Sequence, residues 1–193
     1  MINEIKNFKQ YLAGVIPMGE GSFEIALQYL KVETIEKGEH LVKEGQACNK
    51  VAFISNGLFR IYYLKDGTEI NTCFCKENSI TSAFDSFVNQ VPSKENIQAL
   101  EDSVVVTLSS ENLAKMVGEN AVWQTVRQLL TEKECLRLSG RATSLSFEPA
   151  LEKYRNLLRD QPEIIQRVPV QHIASYLGVS RETLSRIRAR VGE

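Results

Sequence analysis

The segment from Val168 to Val191 concentrates the side chains that could recognise another molecule. Within residues 180–190 it holds four arginines, a glutamate and two serines. Arginine can donate two hydrogen bonds to guanine O6 and N7, and glutamate can accept one from cytosine N4. Arginines at the flanks would contact phosphates and make binding strongly dependent on salt. This combination of side chains predicts an interaction with double-stranded DNA.

The spacing of the same segment predicts two short helices joined by a tight turn. The apolar face of the first helix consists of Ile173, Ala174 and Leu177. Gly178 permits a sharp turn that a side chain would obstruct, and Val179 supplies an apolar residue between the helices. Ser180 is suited to cap the second helix, with Thr183 three residues further on. Such an arrangement is typical of a helix-turn-helix, whose second helix enters the DNA major groove.

The second helix has an inner and an outer side. Leu184 and Ile187 are predicted to face inward, which leaves the polar side chains to face outward. The predicted DNA-binding residues are Ser180, Arg181, Glu182, Thr183, Ser185, Arg186 and Arg188. The alternative interpretation is a basic amphipathic helix whose polar face is simply solvated.

Charge is distributed unevenly along the chain. The 193 residues carry a net charge of −1, yet residues 149–193 hold eight basic and five acidic side chains, a net charge of +3. The asymmetry places any polyanion-binding face at the C-terminal end. No apolar run is long enough for a membrane span, and the first residues are not those of a signal peptide, so we expect a cytoplasmic protein with no membrane partner.

The middle of the chain has the pattern of an antiparallel β domain. The first 30 residues have helical spacing, with Phe23, Leu27 and Leu30 along one face. From Lys31 onward, β-rich runs alternate with turn signals about every ten residues until Leu108. The turn signals are Lys37-Gly38, Glu44-Gly45, Asn56-Gly57 and Asp66-Gly67. Asn-Gly and Asp-Gly between β-branched and aromatic runs predict hairpins, and the whole pattern predicts a sandwich or jelly roll.

A long helix is predicted between the β domain and the helix-turn-helix. It runs from about Glu119 to Leu145, and its apolar positions are Val122, Trp123, Val126, Leu129, Leu130, Leu136, Leu138 and Leu145. These positions cover more than one stripe, which indicates two packing partners: its own β domain and the same helix of a second subunit. Burial within a monomer is the alternative. A further helix begins at Pro149 and is expected to stop at Gln161-Pro162.

Taken together, the chain resembles the Crp/Fnr superfamily of bacterial regulators. The resemblance rests on the glycine turns of the roll and above all on the run Ser180-Arg181-Glu182-Thr183-Leu184-Ser185-Arg186. It implies an α+β fold: an antiparallel, cyclic-nucleotide-binding-like jelly roll over residues 1–118, a long dimerisation helix over 119–146, and a small helix-turn-helix domain over 147–193. It also implies that Arg181, Glu182 and Arg186 read G and C in each half of a palindrome.

The sequence departs from the family in the cassette that binds the phosphate of a cyclic nucleotide. Family members use a glycine-glutamate pair followed by an Arg-Ser or Arg-Thr pair, whereas residues 79–97 contain no arginine and only Lys94 as a nearby cation beside Ser93. A buried phosphodiester without a guanidinium would be poorly compensated. We therefore expect no response to cyclic AMP, and the effector is unknown.

Other sensory chemistry also finds few candidates. The first cysteine is Cys48, which does not fit an N-terminal iron–sulfur cluster, and Cys48, Cys73, Cys75 and Cys135 are predicted to be reduced thiols rather than disulfides or zinc ligands. His172 is expected near the DNA backbone or in solvent, and His40 on a surface strand. The aromatic residues Phe59, Tyr62, Tyr63, Phe74, Phe84 and Phe87 either line a small apolar pocket or form ordinary core.

Two other classes of protein are alternatives, a metalloenzyme and a scaffold protein. Jelly-roll metalloenzymes need several histidines with a carboxylate, and the roll contains only His40, so we predict neither catalytic nor metal-binding residues and no enzyme. A signalling or scaffold protein whose helix-turn-helix docks a protein partner is the second alternative. The favoured prediction is a homodimeric DNA-binding transcription regulator, for which the resemblance implies RNA polymerase as a further partner and a small-molecule effector in the roll.

Overall fold

The computed structural model describes residues 2–17 and 21–192. The helices are α1 (Ile2–Ala13), α2 (Glu24–Leu27), α3 (Phe84–Asn89), α4 (Ser110–Glu119), α5 (Val122–Phe147), α6 (Ala150–Asp160), α7 (Pro162–Arg167), α8 (Val170–Leu177) and α9 (Arg181–Val191). The strands are β1 (Lys31–Ile35), β2 (His40–Val42), β3 (Lys50–Asn56), β4 (Leu58–Lys65), β5 (Thr68–Lys76), β6 (Ser79–Thr81), β7 (Asn96–Ala99) and β8 (Ser103–Ser109). Among these residues, no helix is long and apolar enough to cross a membrane.

The strands form two four-stranded sheets, in the orders β1-β8-β3-β6 and β2-β7-β4-β5. Neighbours in the first sheet run antiparallel, as do β2 and β7. The tip between β4 and β5 has positive φ at both Asp66 and Gly67, which is the backbone that a two-residue hairpin turn requires. The predicted jelly roll and the predicted α+β class are confirmed.

Packing divides the chain into two compact units. The first comprises Met1–Ile61 and Phe74–Lys133, and the second comprises Tyr62–Cys73 and Glu134–Glu193. The hairpin tip and the C-terminal part of α5 thus belong to the same unit as α6–α9. The sequence-based domain division at residues 118 and 146 stays a prediction. It cuts the chain into consecutive segments, whereas each compact unit combines segments that are distant in sequence.

Phe53 belongs to an apolar core in the first unit. On β3, Phe53 lies between Val106 of β8 and Ile80 of β6. Its ring centroid is 5.1 Å from that of Phe8 and 5.2 Å from that of Tyr11, so α1 packs on this sheet. The buried members of the core are Phe8, Leu12, Phe23, Ala26, Phe53, Val106, Leu108, Met116, Trp123 and Val126.

The helices differ from their sequence-based predictions in three places. The helical spacing of the first 30 residues does not produce one helix, because Gly14 and Pro17 follow α1, and Leu27 is exposed rather than aligned with buried Phe23. The long helix begins at Val122, whose N–H donates to the Asn120 side chain at 3.0 Å. Pro162 ends α6 as predicted, but it also begins α7 in the first-turn position that proline favours.

Replacing Phe53 by Ala should destabilise the first unit by about 3–5 kcal/mol, because it removes a fully buried ring and leaves a cavity. Trp123 is the single tryptophan of the chain and lies in the same core, so its fluorescence during urea unfolding reports this unit. Leu27→Ala is the matched control, since Leu27 is 46% exposed and should shift stability by less than about 0.5 kcal/mol. Equal losses for the two variants would contradict the assignment of the core.

Candidate nucleic-acid interface

The two helices of the predicted helix-turn-helix are α8 and α9. Ile173, Ala174 and Leu177 of α8 are buried, as the apolar spacing predicted. Gly178 ends the helix with φ at +73°, a left-handed conformation that favours glycine. Its N–H donates to the carbonyls of Ala174 and Ser175 and so closes the last turn. The tight turn is therefore where the sequence placed it.

The second helix begins at a polar cap. The Ser180 hydroxyl accepts a hydrogen bond from the Thr183 N–H at 3.2 Å, which satisfies one of the free donors of the first turn. Leu184 and Ile187 are buried, so the inner side of α9 also matches its prediction. Val179 lies half-buried between the helices.

The outward-facing residues of α9 do not all share one face. Arg181, Glu182, Ser185 and Arg186 are exposed, and with the cap Ser180 they form an exposed polar face that is called the reading face below. Thr183 and Arg188 are only half-buried, because they lie at the edge of the buried side. Arg188 lines a shallow depression formed with residues 165–170, so it lies beside the reading face rather than on it.

Charge on the reading face keeps its carboxylate ionised. A hydrogen bond from Ser180, the local backbone N–H, and the positive charges of Arg181 and Arg186 together hold the pKa of Glu182 below its ordinary value. An ionised carboxylate only accepts hydrogen bonds. At neutral pH the face therefore presents an ionised acceptor between arginine donors, beside the hydroxyls of Ser180 and Ser185.

Arg181 and Arg186 differ in their surroundings. The Arg181 guanidinium donates through Nη2 to the side-chain oxygen of Gln171, in the first turn of α8. Arg186 makes no hydrogen bond or ion pair with any residue in the described part of the chain. Sequence reasoning missed Gln171, because no local pattern pairs residues ten positions apart across a turn.

His172 is not where the sequence analysis expected it. It is buried, and its Nδ1 lies 3.9 Å from the carboxylate of Glu69 on β5. The expectation of a solvated ring is wrong, because α8 turns this side toward the hairpin within the second unit. The expectation that the ring lies near the DNA backbone stays a prediction. A lone histidine in sequence gives no signal of this strand, which is about a hundred residues away along the chain.

A serine of α8 is bonded to the backbone of the same strand. The Ser175 hydroxyl donates to the Glu69 carbonyl at 2.8 Å and accepts from the Asn71 N–H at 3.0 Å. One side chain thus replaces the two bonds that a neighbouring strand would make there.

Arg141 of the long helix α5 contacts Tyr176, the residue that follows Ser175 on α8. Arg141 Nη2 donates to the Tyr176 carbonyl at 2.5 Å, and the guanidinium lies 3.7 Å from the centroid of the Tyr176 ring. Burial raises the pKa of Tyr176 above its usual value, with the charge of Arg141 opposing the shift, so the phenol is neutral. The helix that carries Gln171 is therefore fixed at two adjacent residues, by β5 and by α5.

Comparison with known proteins shows which domain family and which solved structures this architecture resembles. Residues 32–120 match the cyclic nucleotide-binding domain family. The β domain of this chain is therefore similar to cyclic nucleotide-binding domains. The predicted resemblance is confirmed at that level. A search of curated proteins finds no significant sequence match.

Solved structures share the fold over most of this chain. The c-di-GMP-responsive global regulator CLP of Xanthomonas campestris matches with a TM-score of 0.70 and 15% identity, over 90% of this chain and 91% of that one. A structure described as a Crp/Fnr-family transcriptional regulator from Eubacterium rectale gives 0.70 and 16%, over 92% and 87%. The catabolite activator protein of Thermus thermophilus gives 0.58 and 17%, over 91% and 86%.

The segment that would hold a cyclic nucleotide phosphate is bonded to itself. Between α3 and β7, the buried Ser93 hydroxyl donates to the Glu95 carbonyl at 2.8 Å and accepts from the Glu95 N–H at 3.0 Å. The Ser93 N–H and carbonyl bond to Gln46 and Gly45 at 2.9 and 2.8 Å. Lys94 is exposed. The Ser93 hydroxyl is therefore engaged within its own segment, and residues 79–97 supply no arginine for a phosphate.

The remaining sensory candidates lie in ordinary environments. Phe59, Tyr62 and Phe74 are buried, whereas Tyr63 is exposed and Phe84 and Phe87 are half-buried. His40 is half-buried on β2. Within residues 2–17 and 21–192, no group of three or more potential metal ligands comes together.

Replacing Ser175 by Ala should loosen α8 from β5. The variant removes both hydrogen bonds of the hydroxyl and leaves the Asn71 N–H without its acceptor, at a cost of about 1–3 kcal/mol. Hydrogen exchange should then accelerate at Asn71 and along α8 while the first unit is unchanged. Ser139→Ala on the exposed face of α5 is the matched control. Unchanged protection at Asn71 would show that the bridge carries no stability.

Proposed function

We propose that this chain is a sequence-specific DNA-binding transcription regulator of the Crp/Fnr type, which acts as a homodimer on a palindromic operator. The observation that carries the proposal is the reading face. Its carboxylate and arginines project outward from a helix-turn-helix whose opposite side is buried. Relatives in fold include proteins described as transcription regulators.

The chemistry of the reading face suits base pairs better than a protein groove. Arg181 and Arg186 can each donate a bidentate pair to guanine, and the ionised Glu182 can accept from cytosine N4. Arg188 and Arg190, beside the face, suit phosphate oxygens, which fix the register without reading sequence. An apolar partner groove would leave all of these charges desolvated and without partners.

The long helix supports a two-fold assembly. In the second unit, Cys135, Leu138, Ala142 and Leu145 follow one another at alternating spacings of three and four residues, and all are exposed. Apolar residues at this spacing are typical of the seam of a two-stranded coiled coil, which supports the proposed homodimer. A second copy of the chain would cover it and present two recognition helices about one turn of DNA apart, ~34 Å.

The effector of the proposed regulator is not cyclic AMP. The self-bonded turn at Ser93 and the lack of an arginine in residues 79–97 support this part of the proposal. A signal received by the roll could reach α8 through the hairpin tip and α5, since both contact α8 inside the second unit. Such a signal would act by shifting the population of DNA-competent orientations.

Selection from random duplex DNA, titrated with salt and run with and without cyclic AMP, tests the reading face. The expected product is a palindrome with G and C at fixed half-site positions, unchanged by the nucleotide. Arg186→Ala should cost about 1–3 kcal/mol on that site and relax one base pair. Arg159→Ala is the control, because Arg159 pairs with Asp160 on α6. Equal losses on selected and random DNA would exclude base reading by Arg186, and no binding at any salt would favour a protein partner.

Oxidative cross-linking tests the two-fold seam. Cys135 is exposed, whereas Cys48, Cys73 and Cys75 are buried. Across a coiled-coil seam, the two copies of Cys135 should come within the ~4.4–6.8 Å between Cα atoms that a disulfide requires. Mild oxidation should therefore yield a covalent dimer, and Cys135→Ser should not. A protein that sediments as a monomer while bound to its selected DNA would contradict the homodimer.

A further inference from the structure

The contact between Gln171 and Arg181 joins the two helices of the helix-turn-helix at the reading face. Gln171 lies in the first turn of α8 and Arg181 is the first residue of α9. Both side chains are exposed, and the Gln171 Oε1 accepts from Arg181 Nη2. The contact therefore lies at the surface that the proposed function assigns to DNA.

The surrounding groups determine which way the Gln171 amide points. A guanidinium only donates hydrogen bonds, so the amide must turn its oxygen toward Arg181 and its NH₂ group away from it. On that other side, Gln171 Nε2 lies 3.5 Å from Nε2 of His172. A hydrogen bond there requires His172 Nε2 to be the acceptor, which places the ring proton on Nδ1.

The ring of His172 also has a neighbour on its other side, the Glu69 carboxylate. Nδ1, the nitrogen assigned the proton, faces the Glu69 carboxylate at 3.9 Å, and the ring is buried. Ser175 bonds the same helix to the backbone of Glu69. The exposed Gln171 amide thus contacts a buried ring, that of His172, whose position is constrained by its own surroundings.

We propose that Gln171 is a positioning residue that orients Arg181 toward one base pair and so helps to set the sequence preference of the protein. This inference rests on the proposed function. A free arginine loses considerable rotamer entropy when it is ordered on a base, and an orientation fixed beforehand reduces that loss. Arg186 has no comparable side-chain partner among the described residues, so its base reading does not depend on Gln171.

The test uses Gln171→Met, which keeps the length of the side chain and removes both of its polar groups. Affinities are measured for the selected operator and for single-base-pair variants of it, with Arg181→Ala identifying the base pair that Arg181 reads. Gln171→Met should reduce the preference at that base pair by about two- to twelvefold, as expected for ordering one flexible side chain. The preference at the base pair identified by Arg186→Ala should not change.

A second set of variants separates orientation from structural damage. On the Arg181→Ala background, Gln171→Met should have no further effect on that preference, because the side chain it orients is gone. Gln171→Glu keeps an acceptor for Arg181 and should retain the preference ratio, even though its charge weakens binding to all DNA. Gln124→Met, at an exposed position of α5, controls for the substitution itself.

Three results would overturn the inference. A loss of affinity that is equal on all sequences would mean that Gln171 contacts the phosphate backbone. A changed preference at a base pair other than that of Arg181 would mean that Gln171 reads a base directly. If the unmodified protein selects no motif at any salt, the proposed function itself fails. This outcome can be told apart from the two results above, because in both of those the unmodified protein still selects an operator.

Discussion

The turn between α8 and α9 is the constraint on which the candidate interface depends. With Gly178 in a left-handed conformation and Ser180 capping the next helix, only three residues separate the end of α8 from the start of α9. That short connection fixes the rotational phase of α9, so Leu184 and Ile187 are buried and Glu182, Ser185 and Arg186 project outward. It also brings the first residue of α9 within reach of the first turn of α8. Both the proposed base reading and the Gln171–Arg181 contact follow from this geometry.

Local signals in the sequence were sufficient for this part of the chain. Glycine at a position with positive φ, a serine cap and an apolar period of three to four residues are each properties of a few neighbouring residues, and all three are found where they were expected. The Asp66-Gly67 hairpin was predictable for the same reason. The packing partner of each element, in contrast, was not predictable from the sequence. Ser175 and Glu69 are 106 residues apart, and nothing local in either segment indicates the other.

The same limit explains the errors. His172 looks like a polar residue on an amphipathic helix, and its burial against β5 is visible only once the hairpin tip is assigned to the second unit. The assignment of Arg188 as a DNA contact stays a prediction, but the depression that it lines with residues 165–170 could not be inferred from the sequence. In both cases the surroundings of the side chain are tertiary, and no local pattern indicates them.

The electrostatic arrangement of the second unit gives a physical reason to expect a polyanion. Like charges on one short helix repel each other, and residues 181–190 carry four arginines and a single carboxylate, Glu182. Elsewhere in the unit arginines are paired: Arg155 with Glu152, Arg159 with Asp160 and Arg137 with Glu134. Acidic side chains therefore pair with these three arginines away from the reading face, whereas the reading face itself holds two arginines against one carboxylate. Binding a phosphate backbone would relieve that excess and release counterions, which favours association most strongly at low salt.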